Sequence, residues 1–196
     1  MRLRFFRLFC PRRSENLVVR SQLCGDEPIA HQRVELWGAG RIEFGKDVQI
    51  GWKQSPAFRS SYGYFEARFE DSSIRIGDGC IFSNDAAIIS ETRGGGILIG
   101  SRCVFGVGFR YYDSDFHGLE ASARHDRNAI KTAPVTIGDD CFFGERCMVL
   151  KGVSLGDRCV IGAGSIVTKS FPPDSVIGGN PARLIRNLKT ENMKSE

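Results

Sequence analysis

The stretch IGDDCFFGERCMVLKGVSLGDRCVIGAGSIVTK, residues 137–169, decides the fold. It divides into blocks of six: IGDDCF, FGERCM, VLKGVS, LGDRCV and IGAGSI, with VTKSFP following from Val167. Each block opens on an apolar residue: Ile137, Phe143, Val149, Leu155, Ile161 and Val167. Glycine follows in four of the six, and the fifth position holds Cys141, Cys147, Val153, Cys159, Ser165 and Phe171. The same frame opens at Ile76 and Ile99, and a looser trace, FGKDVQIGWKQS, begins at Phe44. A period of six matches neither the 3.6 of a helix nor the 2 of a plain strand. It predicts a solenoid of parallel strands in which each coil covers the next, three blocks to a triangular turn. Large aliphatic first positions fill the interior, and small fifth positions point inward where the walls converge. Glycine at the second position, with Asp, Asn or Gly nearby, is expected to serve the corners.

Five of the seven cysteines, Cys80, Cys103, Cys141, Cys147 and Cys159, occupy that fifth position. None forms a CxxC pair, so they read as small buried hydrophobes, not as zinc ligands or disulfides. Five buried thiols suit a reducing cytoplasm. Cys10 and Cys24 lie outside the frame.

The frame breaks in three places, and breaks in a solenoid become surface loops. One follows Gln54, a short one surrounds ETRGGGIL, and the third runs from His117 to Thr136. The third is polar and leaves the coil at YYDSDFHGLE, residues 111–120. His117 stands at that junction beside Asp113, Asp115 and Glu120.

This frame, with GNPARLIR at 179–186, resembles the hexapeptide-repeat acyltransferases. The likeness is tight over 76–186 and looser over 34–75. It implies an all-β fold, a left-handed parallel β-helix with extruded loops and a short C-terminal helical segment at ARLIRNLK. The expected divisions are a basic lead-in (1–33), the β-helix (34–172, with loops at 53–75 and 117–136) and a C-terminal coil and helix (173–196). It also implies transfer of an acetyl group from acetyl-CoA to a sugar hydroxyl. His117 would be the general base and Asp115 or Glu120 would orient its ring. Gly144, Glu145, Gly162, Ala163, Thr168 and Lys169 would line the path of coenzyme A, with Arg183 and Arg186 near its phosphates. The amide at Gly144 would meet the oxyanion. Asn84 and Asp85 would hold the acceptor. Phe142 stands where many relatives have Trp, which keeps an apolar wall but loses the indole donor. Trp52, Phe58, Tyr62 and Tyr64 offer sugar-stacking surfaces or, equally, core or subunit contacts. A homotrimer with sites between subunits, and no metal, complete the expectation.

Composition bounds the rest. The 196 residues suffice for one domain with a real core. A net charge of +4 is too small to argue for nucleic acid. The opening MRLRFFRLFCPRR is too interrupted by arginine for a signal peptide and reads as a basic arm, at most a weak contact with an anionic membrane. Three other functions compete: acetyl transfer to an amine, a zinc hydro-lyase using the three histidines, and a scaffold without catalysis.

Overall fold

The computed structural model describes residues 15–189; the basic arm of residues 1–14 lies outside them. The chain winds as the expected left-handed parallel β-helix, with three walls of short strands. One wall stacks 22–25, 41–44, 72–76, 95–99, 135–137 and 154–155. A second stacks 29–30, 49–50, 81–82, 104–105, 142–143, 160–161 and 175–179. The third stacks 34–37, 63–67, 87–90, 110–112, 148–149 and 166–167. The long strand Val34–Phe44 bends from the third wall into the first.

First-position residues fill the core, and many are aromatic, contrary to the aliphatic expectation. Phe82, Phe105 and Phe143 stack down the second wall, with centroids 4.4 and 4.9 Å apart and rings nearly parallel. The rise between coils, about 4.8 Å, is close to a ring-stacking distance. The fifth-position cysteines are buried and unpaired as disulfides. Each also points its thiol at a carbonyl of the coil above: Cys80 to Gly100 (3.1 Å), Cys103 to Gly138 (3.2 Å), Cys141 to Gly156 (3.3 Å), Cys147 to Gly162 (3.2 Å) and Cys159 to Pro172 (3.3 Å).

The corners correct the sequence reading. Left-handed backbone falls at the fourth position, not the second: Arg102 (φ 58°), Asp140 (58°), Arg146 (54°), Arg158 (58°) and Gly164 (70°) all carry it. Second-position glycines answer to stacking instead. A Cβ on Gly100 would lie 2.7 Å from the carbonyl carbon of Gly138, and one on Gly138 would lie 2.6 Å from the amide nitrogen of Asp157.

Three boundaries also move. Leu17–Gly25 pairs in parallel with Val34–Phe44, so the first coil begins inside the segment read as a lead-in. The loop expected over 53–75 ends by Gly63, where Gly63–Ala67 joins the third wall. The expected helix at the C-terminus is mostly a strand: Ala182–Asn187 folds back antiparallel on Ser175–Gly179. Only 188–189 are helical within the described residues. Alternation of chain direction at the last coil lets this strand cover the edge that a further coil would occupy.

Candidate functional site

The long loop leaves the third wall after Tyr112 and returns at Val135. Its base is closed by hydrogen bonds from the Asp115 amide to the Lys131 carbonyl and from the Ala133 amide to the Asp113 carbonyl. Asp113 is fully buried and anchors the departure point. Its carboxylate accepts from the Ser90 hydroxyl (2.7 Å) and from the amides of Glu91 (2.7 Å) and Thr92 (3.2 Å). Glu91 in turn accepts from Ser114 and from Arg68. Arg68 makes a two-pronged contact with Glu66 at 2.8 Å, which holds the Glu66 carboxyl below its usual range.

This framework presents a cavity of about 620 Å³ lined by His117, His125, Arg68, Glu91 and three further arginines, Arg93, Arg124 and Arg127. Gly118 lets the loop fold back tightly over His117, since a Cβ there would lie 2.1 Å from the Ala123 carbonyl oxygen. The Nδ1 of His117 faces the Arg124 carbonyl at 3.3 Å. A carbonyl only accepts, so Nδ1 is the donor, and in the neutral ring the lone pair then lies on Nε2. The His125 ring stands edge-on to His117, with centroids 6.4 Å apart.

Neither expected orienting carboxylate touches His117 among the described contacts. Asp115 is held by Lys151 at 2.6 Å, with its second oxygen buried and without a partner. Glu120 stands at the start of a short turn, Ala121–Ala123, and its side chain makes no cap hydrogen bond there. Asn84 is fully buried and pins the loop after Trp52. Its oxygen accepts from the Trp52 amide, and its nitrogen donates to the carbonyls of Trp52, Ser55 and Pro56. Those bonds leave it nothing for an acceptor. Asp85 is chelated by Arg110 at 2.9 Å. Trp52 and Tyr62 remain exposed on the pinned loop, and Phe142 is half-exposed on the second wall.

The residues expected along coenzyme A divide between two edges of the prism. Gly144, Glu145, Gly162 and Ala163 meet at the edge between the second and third walls, where a Cβ on Gly144 would lie 2.6 Å from the Ala163 nitrogen. The Gly144 amide already donates to Ile161 at 2.8 Å, so it is not an oxyanion donor. The next amides along this edge, at Glu145 and Ala163, meet no acceptor among the described residues. At the neighbouring edge the equivalent amides are capped by side chains, Ser101 and Asp139 by Asp139 and Asp157, both at 2.9 Å. Thr168 and Lys169 follow the strand Ile166–Val167 and so share the edge of His117. Arg183 and Arg186 lie in the final strand, about 10 Å apart along it instead of one above the other on a helix. Sequence reasoning missed Arg68, Glu91, Arg93, Arg124 and Arg127, because they come together from separate coils and an irregular loop. Among the described residues no three His, Cys, Asp or Glu side chains converge as metal ligands.

Residues 134–169 match the family model described as the hexapeptide repeat of succinyl-transferase. That stretch of the chain carries the hexapeptide repeat. The chain is also similar to a Staphylococcus aureus (strain MRSA252) protein named as an acetyltransferase, 45% identical over 69 residues. The chain is similar too to the galactoside O-acetyltransferase of Escherichia coli (strain K12), 49% identical over 55 residues. These matches cover 34% and 28% of this chain and 35% and 27% of the relatives, so the chain spans about a third of their length or less. Two solved structures share the fold across most of both chains. They are the polysialic acid O-acetyltransferase OatWY (TM-score 0.61, 22% identity, 88% of this chain and 84% of that one) and the polySia-specific acetyltransferase NeuO (0.60, 22%, 89% and 88%).

Proposed function

We propose that the protein transfers an acetyl group from acetyl-CoA to a sugar hydroxyl, with His117 as general base. The observation that carries the reading is an imidazole held at a cavity with Nδ1 on a carbonyl and Nε2 meeting no partner among the described residues. The similarity to an O-acetyltransferase over 55 residues supports the choice of a hydroxyl acceptor. In the reaction, Nε2 takes the hydroxyl proton as the oxygen bonds to the thioester carbonyl carbon. The carbon–sulfur bond then breaks, and His117 returns the proton to the departing thiolate. The five inward cysteine thiols take no part, being buried in the core.

The bare amides of Glu145 and Ala163 suit the amide-bearing arm of coenzyme A. They and His117 project from different edges of one chain, so we place the site between copies, as a trimer brings such edges together. Half-exposed apolar residues, Val104, Phe142 and Leu98 on the walls and Ile185 on the last strand, support burial against a neighbour. Buried free thiols support residence in a reducing compartment; no described helix is long and apolar enough to cross a membrane.

The test is acetyl-CoA turnover by thiol release against a sugar panel. His117→Ala is expected to lower turnover by about 10²–10⁴-fold while the oligomer, followed by light scattering, stays intact. Unchanged turnover in that variant would sink the reading. Mild alkali distinguishes the product, since esters are lost and amides survive.

A further inference from the structure

We propose that the acceptor is an anionic sugar, and that Arg124 and Arg127 hold its carboxylate or phosphate beside His117. This rests on the acetyl-transfer reading above and narrows its substrate class. The cavity wall carries four arginines against one carboxylate, Glu91. Two of those arginines are already occupied. Arg68 is committed to Glu66 and Glu91. Arg93 pairs with Asp71 at 3.3 Å and lies over the Phe69 ring, 4.2 Å from its centroid.

The other two have no counter-charge. Arg124 donates one Nη2 bond to the Leu119 carbonyl at 3.1 Å and meets no carboxylate among the described residues. Arg127 has no side-chain partner among them. Asp126, between the two, turns to its own backbone and accepts from the Asn128 amide at 2.9 Å. Two guanidinium groups facing one cavity without counter-charge repel each other and raise the local concentration of anions. Their planar forks match a carboxylate or phosphate and fit a neutral hydroxyl less well. The backbone links this feature to the chemistry. Arg124 carries the carbonyl that fixes the His117 ring, so an anion on its side chain would sit within the same turn of loop as the base.

The experiment uses the full chain and three acceptors of equal length: a uronic acid oligosaccharide, a phosphorylated neutral oligosaccharide and the neutral oligosaccharide alone. Binding is measured calorimetrically without acetyl-CoA, and turnover with it. At least one anionic acceptor is expected to bind about tenfold or more tighter than the neutral one, with affinity falling as salt rises. The carboxylate and phosphate arms identify which anion is taken. Arg127→Gln, which breaks no polar side-chain contact among the described residues, and Arg124→Gln, which keeps the carbonyl on His117, are each expected to raise KM for that acceptor about tenfold.

Equal binding of all three acceptors, or a rise in KM for acetyl-CoA instead of the acceptor, would overturn the proposal. The second result would assign these arginines to the coenzyme phosphates. Transfer to neutral sugars alone would overturn it while leaving the acetyl-transfer reading standing. Anion binding that the variants abolish, with no transfer to any sugar, would support the anion site and overturn that reading.

Discussion

His117 leans on a carbonyl where a carboxylate was expected, and this changes which neighbours matter. Replacing Glu120 with Gln leaves every observed His117 contact in place, so turnover is expected to stay at the parent value by thiol release. Asp115 behaves differently. Its partner Lys151 is the only group holding a carboxylate whose second oxygen is buried and unpaired among the described residues. Lys151→Met would leave that charge unsatisfied, and denaturant unfolding should show a loss of about 1–3 kcal/mol. The place of His117 at the base of the loop was legible because it stands where the period stops. Its partner was not, because Arg124 is seven residues away in a loop with no period to read. Asn84 misled for a related reason: an Asn in a coil corner looks the same whether it faces a ligand or ties down a loop.

At the scale of the coil, the second and fourth positions do different work, and glycine substitutions separate them. Gly164 has φ 70° with open space around its missing Cβ. Gly164→Ala should therefore cost only the left-handed backbone strain, about 1–2 kcal/mol. Gly138→Ala meets Asp157 and Gly156 of the next coil within 2.8 Å, and should cost more because two coils must separate. Thermal melts of the two variants check the order. The six-residue period made the stacking legible, since it repeats every contact. It did not show which corner position bends, because Asp and Arg at the fourth position carry no glycine signal. The closing strand was hidden for another reason. ARLIRNLK carries helical spacing, but Ala182–Asn187 meets an open strand edge, and pairing there overrides local preference.

Across the molecule, the last coils are fastened by one buried carboxylate. Asp174 takes a hydrogen bond from Arg158 at 2.6 Å and lies 3.0 Å from Lys189, while its carbonyl accepts the Leu188 amide. The Arg158 hydrogen bond, with help from Lys189, holds its carboxyl at about 2 against an ordinary 3.8. A depressed folded value stabilises above the unfolded one. The contribution is therefore full above about pH 4 and is lost as pH falls towards 2. Asp174→Asn should flatten that part of the stability–pH curve, read by acid unfolding. One end of the solenoid would then come undone first in acid, ahead of the middle coils.

The column of thiols supplies a clock for such events. Each inward cysteine belongs to a known coil, and a maleimide or iodoacetamide can reach it only when that coil parts from its neighbour. Cys24, half-exposed near the first coil, would react at once, and Cys80 through Cys159 would follow in the order their turns open. Mass spectrometry of timed alkylation would thus resolve the unwinding of the rod coil by coil, without introducing a single label.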